Sequence, residues 1–448
     1  MADARFFHKT EGLKAVAVAD AIRDLGPIRW GPDRTFWCYR PSGVWHSDDD
    51  LLHARIVRTL GENYRPAHSQ TVRDVLRAQV GRIDIAAIPK WINMSNGMLD
   101  WNAVVAPDLV PHADAYLSTV QLPVIYKRSA TCPAFDEFLS WAVAPEDVLR
   151  VWEILGYLMM SGNPLQRAIL LVGGGGNGKG VLLEVIKRLL GEDNCTSVPL
   201  HDFADNRFVT AELFGRLANV CGDIDATYIE NTSRIKEITG EDTVMGERKG
   251  QDPFYFKPWC KMVFSANDIP GSADSSRGWT RRFELVNFPN TPTHADRGLK
   301  DRLTTPASLS GIALKAVLAL RGLMERGDFV HGDAREEANR RFAERSNTAL
   351  RWLGEVCRYP VPHEEAWTRA SAVWEAAKPW LWQEGSQLKK QGFYGLLKQV
   401  PGVRYVKRDG YDGFRGFALP ATPPEGPENS TGGGEVGKSQ RSDQGILV

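Results

Sequence analysis

Residues 168–190 read Ala168-Ile169-Leu170-Leu171-Val172-Gly173-Gly174-Gly175-Gly176-Asn177-Gly178-Lys179-Gly180-Val181-Leu182-Leu183-Glu184-Val185-Ile186-Lys187-Arg188-Leu189-Leu190. The first five form an unbroken apolar run, the pattern of a strand buried on both faces of a parallel sheet. From Val181 onward the apolar residues recur at helical spacing, and Gly191 stops them. Between the two segments, Gly173 to Lys179 has the spacing Gly-x-x-x-x-Gly-Lys. Glycines let a backbone wrap a phosphate with its N–H groups, and a helix N-terminus adds a favourable dipole. Strand, glycine loop, lysine and helix in that order are the setting of a P-loop. Gly173, Gly174, Gly175, Gly176, Asn177, Gly178, Lys179, Gly180 and Val181 are thus expected to cradle ATP, with Lys179 on the β and γ phosphates. The Ser or Thr that usually follows the lysine and ligates Mg²⁺ is Gly180 here. The metal then depends on water, nucleotide oxygens and a carboxylate, so ATP binding is better supported than fast hydrolysis.

Three downstream segments supply the rest of such a site. The apolar run Leu217–Cys221 ends at Gly222-Asp223-Ile224-Asp225. A carboxylate at the end of a strand beside a P-loop organises Mg²⁺, with Asp223 the first candidate and Asp225 the second. The strand pattern Lys261–Phe264 ends in Ser265-Ala266-Asn267, where Asn267 could position the attacking water. Arg281 and Arg282 precede the strand pattern Glu284–Phe288. A pair of adjacent arginines there suits a finger that reaches the γ-phosphate bound by a neighbouring subunit.

The chain of 448 residues balances 55 Lys and Arg against 55 Asp and Glu, so any basic surface is local. Roughly 100–200 residues per domain predicts two to four domains. An apolar fraction of 43% and a charged fraction of 25% are those of a globular protein and exclude collagen, fibre and wholesale disorder. No run approaches the roughly 18 unbroken apolar residues of a membrane span. The six cysteines are scattered without a Cys-x-x-Cys pair, which argues against a disulfide scaffold or a zinc ribbon and for a reducing cytoplasm.

Helical periodicity is expected at Leu13–Leu25, Leu51–Leu60, Gln70–Val80, Val148–Met160, Gly311–Arg326 and Ser386–Val400. Strand–turn–strand patterns span 36–45 and 91–101, the second with an Asn96-Gly97 turn. Val403–Val406 and Phe414–Leu419 flank Asp409–Gly413, so helix plus two strands read as a winged helix. From 386 to 417 there are seven Lys or Arg against Asp409 and Asp412, a local net of +5. Lys389, Lys390, Lys407 and Arg408 are the candidate DNA contacts of that footprint. From 421 to 448, Gly, Pro and Ser supply 12 of 28 residues with no aromatic, the composition of a disordered tail.

The motifs together resemble the superfamily 3 helicases of phage and plasmid primase–helicases, the group that includes the poxvirus primase-helicase. Over roughly residues 90–420 the marks are Ile92-Asn93 through Asp100, Tyr116 through Val124, Cys132-Pro133-Ala134-Phe135 and Leu155-Gly156-Tyr157. Gly-Asn-Gly-Lys at 176–179, Ile238-Thr239-Gly240-Glu241-Asp242 and Phe264-Ser265-Ala266-Asn267 are its core. The resemblance implies that Lys179 is the Walker A lysine, Asp223 the Walker B acid, Asn267 the sensor and Arg281 or Arg282 the trans-acting arginine. It further implies that 239–261 supplies a hairpin to a central channel, where Arg248, Lys249 and Lys257 would contact single-stranded DNA beside Phe254, Tyr255 and Phe256. Residues 1–145 leave too little room for a polymerising primase domain and show no acidic metal triad.

The resulting expectation is an α/β fold with an AAA+-like P-loop NTPase core at 146–300. A mixed α+β region (1–145) precedes it. A helical segment (301–350), a winged-helix-like DNA-binding domain (351–420) and the tail follow. Its function would be that of an ATP- and Mg²⁺-dependent DNA helicase of phage or mobile-element replication. It would form a hexameric ring on single-stranded or forked DNA in the cytoplasm of a bacterial host, with no membrane partner and with priming from a separate primase or polymerase. Gly180 keeps open a nucleotide-dependent, DNA-binding initiator or loader that unwinds weakly or not at all. A small-molecule kinase is disfavoured by the basic C-terminal region and the lack of an acceptor-binding lid.

Overall fold

The computed structural model describes residues 5–8, 12–85, 88, 90–103, 108–224, 232–268, 281–294, 296–330, 347–384, 386 and 388–420. It divides into two compact units, Met1–Thr348 and Ala349–Val448. The expected tail at 421–448 lies outside the described residues.

At the centre of the first unit is a five-stranded sheet of β1 (Ala168–Val172), β2 (Cys195–Thr196), β3 (Ala218–Cys221), β4 (Lys261–Ala266) and β5 (Phe283–Asn287). Its order is β2-β3-β4-β1-β5 and every pair is parallel. The apolar runs are continuous because successive side chains enter two different cores. Ile169, Leu171, Val263 and Val286 face a core shared with α1 (Pro145–Met159), α2 (Lys179–Leu190) and α3 (Pro306–Arg326). Leu170, Met262, Phe264 and Leu285 face a second core with Ile235 and Ile238 of the Ser233–Thr239 helix and with the Val244–Gly246/Phe254–Phe256 hairpin.

Helix α3 is, among the described residues, the one helix long and apolar enough to cross a membrane, yet half of its apolar window is buried within the fold. A Cβ on Gly156 of α1 would stand 2.2 Å from the Ala316 carbonyl of α3, so the two helices meet backbone to backbone. Lys261, at the start of β4, is fully buried and donates to the Met160 carbonyl.

The N-terminal region is mixed α+β. Helices Ala15–Asp24, Asp49–Leu60 and Pro66–Gln79 pack on the antiparallel sheet Ile28–Trp30/Phe36–Arg40/Val44–Ser47 around Val18, Ile22, Phe36, Leu52, Ile56 and Leu76. Trp37 and Trp45 leave that core and join the second face of the central sheet. The Asn96-Gly97 hairpin forms as expected, Trp91–Met94 with Gly97–Asp100.

The second unit runs α4 (Thr348–Val356), β6 (Trp367–Arg369), α5 (Ala370–Gln383), α6 (Lys390–Leu397), β7 (Arg404–Arg408) and β8 (Tyr411–Arg415), with an antiparallel sheet ordered β6-β8-β7. Trp352, Val373, Phe393, Leu397, Phe414 and Phe417 form its core. Three boundaries differ from expectation, the first being the strand expected over 403–406, which covers 404–408. The helix expected over 386–400 covers 390–397. The second strand of the expected wing is 411–415 rather than 414–419, because the turn needs only Asp409 and Gly410, both at positive φ.

Candidate functional site

The carboxyl ends of β1, β3 and β4 converge on an open cleft of about 460 Å³ lined by Gly175, Gly176, Asn177, Gly178, Lys179, Gly180, Val181, Asp223, Asn267 and Lys300. Gly175 and Asn267, far apart in sequence, meet there because parallel strands all deliver their C-terminal ends to one edge. Gly173 and Gly174 belong to the loop but not to the cleft lining. Gly173 is at φ +153°, and a Cβ on it would lie 2.3 Å from Asn177 Nδ2 and 2.4 Å from the Phe288 carbonyl oxygen. Gly174, Gly175, Gly176 and Gly180 have open space where a Cβ would go. Their backbone is therefore accessible to a ligand of phosphate size.

Asn177 braces the loop. Its Nδ2 donates to the Phe288 carbonyl at 2.8 Å, and its Oδ1 accepts from Lys179 Nζ at 3.0 Å. The same ammonium donates to the Gly173 and Gly174 carbonyls, the latter at 2.8 Å. Lys179 is only 5% exposed. Burial holds its pKa below the ordinary lysine value, and the Asp223 carboxylate pulls the other way.

Asp223 is exposed and sits at φ +49°, a left-handed conformation that Asp and Asn adopt more readily than other side chains. Its N–H donates to Ser265 Oγ at 3.1 Å, and Ile224 N–H donates to the Ser265 carbonyl at 2.9 Å. Ser265 thus fastens the acidic turn to β4, which also leads into Asn267. Among the described residues no group of three or more His, Cys, Asp or Glu could hold a metal. A Mg²⁺ ion would fit here as a partner of nucleotide oxygens, water and Asp223. Asp225 lies outside the described residues.

The two arginines separate in role. Arg281 is exposed. Arg282 is half-buried and donates from Nη1 to Thr239 Oγ1 at 2.9 Å. Burial lowers the Arg282 pKa, the adjacent Arg281 cation adds to this, and Asp242 opposes it. Thr239 is tied further: its carbonyl accepts from Asn163 Nδ2 at 3.3 Å, and Asn163 N–H donates to Glu241 Oε1 at 2.6 Å. The Thr239-Gly240-Glu241 segment therefore links the Ser161–Asn163 loop to the arginine pair.

In the hairpin, Phe254 and Phe256 are core, whereas Tyr255 is 66% exposed. Lys249 and Lys257 are exposed. Arg248 lies 5.1 Å from the Phe254 ring centroid and pairs with the buried Asp33 at 3.7 Å, so it is held by the protein itself. Lys389, Lys390, Lys407 and Arg408 are exposed on the second unit. Sequence reasoning missed Lys300, a second cation at the cleft on the short helix Leu299–Leu303, and the brace made by Ser265. Neither has a spacing signal.

Residues 32–144 match the family model described as D5 N terminal like, and residues 171–282 match one described as a family of unknown function, DUF5906. A protein of Acanthamoeba polyphaga mimivirus named "Putative helicase L207/L206" is 26% identical over 207 residues, 44% of this chain and 21% of the relative. The chain thus spans about a fifth of that relative's length. Among solved structures, the A form apo NrS-1 C terminal region covers 92% of this chain at 12% identity and a TM-score of 0.48. A second apo structure of NrS-1 residues 305–718 covers 90% at 12% identity and a TM-score of 0.44.

Mixed α/β architecture on a parallel five-stranded sheet defines the class of the fold. Within it, the chain carries a D5 N terminal like segment and a DUF5906 segment, and it is similar over part of its length to a putative helicase. The likeness begins at residue 32, well before the motifs near residue 92 from which it was read. The Trp-rich early region is part of it.

Proposed function

We propose that the chain is an ATP-dependent DNA helicase of phage or mobile-element replication. The observation that carries this reading is the cleft itself: a glycine loop with a buried lysine, faced by Asn267 from the end of the adjacent strand β4 and by Asp223 from the end of β3 beyond it. In this reading the loop is a P-loop. The glycine N–H groups receive phosphate oxygens, Lys179 turns from its carbonyl partners to the β and γ phosphates, and Asn267 orients the attacking water. Lys300 adds a second positive charge at the mouth. Mg²⁺, when bound, neutralises charge on the phosphates, and Asp223 is the side chain that would hold it. Arg281 serves the next subunit of a homo-oligomeric ring, a hexamer as the resemblance to superfamily 3 helicases implies. The second unit, with its helix–strand–helix–helix–strand–strand order, acts as a winged-helix DNA-binding domain. Priming comes from a separate primase or polymerase in the host cytoplasm.

Gly180 favours a second reading, a nucleotide-dependent initiator or loader that binds DNA without processive unwinding. Strand displacement on forked DNA with ATP and Mg²⁺, run beside steady-state ATPase with and without single-stranded DNA, decides between them. DNA-stimulated turnover with displacement supports the helicase, and nucleotide-dependent DNA binding without turnover supports the loader. Turnover indifferent to DNA overturns both.

A further inference from the structure

One face of the second unit's sheet carries a pattern that the nucleotide cleft does not explain. The register sets Trp367 opposite Arg415 and Arg415 opposite Arg404, so these three side chains share a face. Two residues along, the same face holds Arg369, Gly413 and Val406, and beyond them Tyr411 opposite Arg408. Side chains alternate across a strand, so Asp412 and Phe414 belong to the other face, where Phe414 enters the core. Among these described strand positions the first face holds four arginines, two aromatic rings and no carboxylate.

The rings are arranged rather than scattered. Trp367 covers Gly413, where an added Cβ would come within 2.5 Å of the indole, so glycine is what lets the ring lie there. The Arg369 guanidinium is 3.5 Å from the centroid of the Tyr411 ring, and that of Arg408 is 5.9 Å from Trp367. Tyr411 is 50% exposed. Asp409, in the turn, pairs with Arg408 at 3.5 Å with both groups solvated, a pair that competes weakly with a phosphate.

We propose that this sheet face binds single-stranded DNA, with the arginines on successive phosphates and Tyr411 and Trp367 as stacking platforms for bases. A polyanion complements a face that carries four cations and no carboxylate. Paired bases hide their π-faces from a protein surface, so a duplex would engage the arginines and leave the rings unused. The choice of DNA as the ligand rests on the helicase reading, whereas the face itself shares no residue with the nucleotide cleft.

The test is fluorescence anisotropy of the full chain on a labelled oligodeoxythymidylate and on a duplex of equal length, without nucleotide. Tyr411→Ala is expected to weaken single-strand binding about 5- to 150-fold, with Tyr411→Phe near wild type and duplex binding little changed. Arg369→Gln with Arg404→Gln should make the slope of log affinity against log salt shallower by about 0.7 per cation removed. All these positions are exposed, and unchanged thermal unfolding verifies the fold. If Tyr411→Ala binds the single strand as wild type does, or weakens the duplex equally, the proposal is overturned. Unaffected variants in a chain whose ATPase is still DNA-stimulated overturn this face alone. Tyr411-dependent binding in a chain without DNA-stimulated ATPase supports this face and overturns the helicase.

Discussion

Arg282 donates to Thr239 Oγ1 at 2.9 Å, while Arg281, its neighbour in the chain, is exposed to solvent. The pair that looked equivalent in sequence therefore divides into one arginine that holds the fold and one that can reach another molecule. Arg281→Ala should abolish turnover at unchanged melting temperature, through loss of a finger worth roughly 10³–10⁵ in rate. Arg282→Ala should instead cost about 1–2 kcal/mol of stability, read by thermal unfolding. Mixing Arg281→Ala with Lys179→Ala subunits should restore some hydrolysis, since a mixed interface can join an intact loop to an intact arginine. Dead mixtures in a demonstrably mixed oligomer would remove the trans role.

Lys179→Ala should eliminate hydrolysis with the fold intact. Asp223→Asn should retain nucleotide binding and lose most turnover. Asparagine suits this test because the position is left-handed, at φ +49°. Alanine would add backbone strain to the loss of charge. Equilibrium binding of a fluorescent ATP analogue beside phosphate release separates the two variants. Wild-type turnover in either contradicts the site.

Gly180→Ser can be accommodated, since nothing lies within 4 Å of the position of an added Cβ. If the missing hydroxyl limits metal binding, the serine lowers the Mg²⁺ concentration for half-maximal ATPase. An unchanged titration means that another group has that role.

Lys261 yields a pH dependence. Burial pushes its pKa down to about 7, against about 10.4 in an unfolded chain. Between those values the unfolded state binds more protons than the folded one, so stability rises with pH over the window from about 7 to about 10. Below it, the fold must keep a charged amine in its core. Lys261→Met should flatten that rise in melting temperature. A variant that keeps the wild-type slope would place its origin elsewhere.

Changing Lys389, Lys390, Lys407 and Arg408 together to Ala should weaken DNA binding almost uniformly across sequences. The salt slope should become shallower by about 0.7–0.9 for each phosphate that is no longer neutralised. An unchanged slope returns the patch to solvent.

Much of this was legible in the sequence where one pattern was uninterrupted. β1, the glycine loop and α2 follow from apolar continuity, glycine spacing and helical period, all within 23 residues. Asp223 and Asn267 were readable because each ends a strand pattern. Other features had no local signal. Lys300 reaches the cleft from a short helix far along the chain, and nothing in Leu299–Leu303 marks it. The helix at Pro133–Ala142 begins with a proline and runs through Phe135, Phe138 and Leu139, yet only its first residues stand out in the sequence, as a motif. The division of labour between Arg281 and Arg282 required the position of Thr239, 43 residues away. The cations around the hairpin look alike in the sequence until Arg248 is set against Asp33.

The Lys179 ammonium, held by the Gly173 and Gly174 carbonyls and by Asn177, is 5% exposed and has exchanged water for protein acceptors before any ligand enters the cleft. Dehydration of the amine is thus completed during folding, and under the proposed function it would not recur at each turnover. A phosphate oxygen has only to displace three neutral acceptors with a charged one, an exchange between partners rather than a desolvation. Departure of a product would reverse it, and the carbonyls of the loop are there to receive the amine. The same three acceptors that quiet the lysine at rest would therefore hasten release, as an internal competitor for its charge.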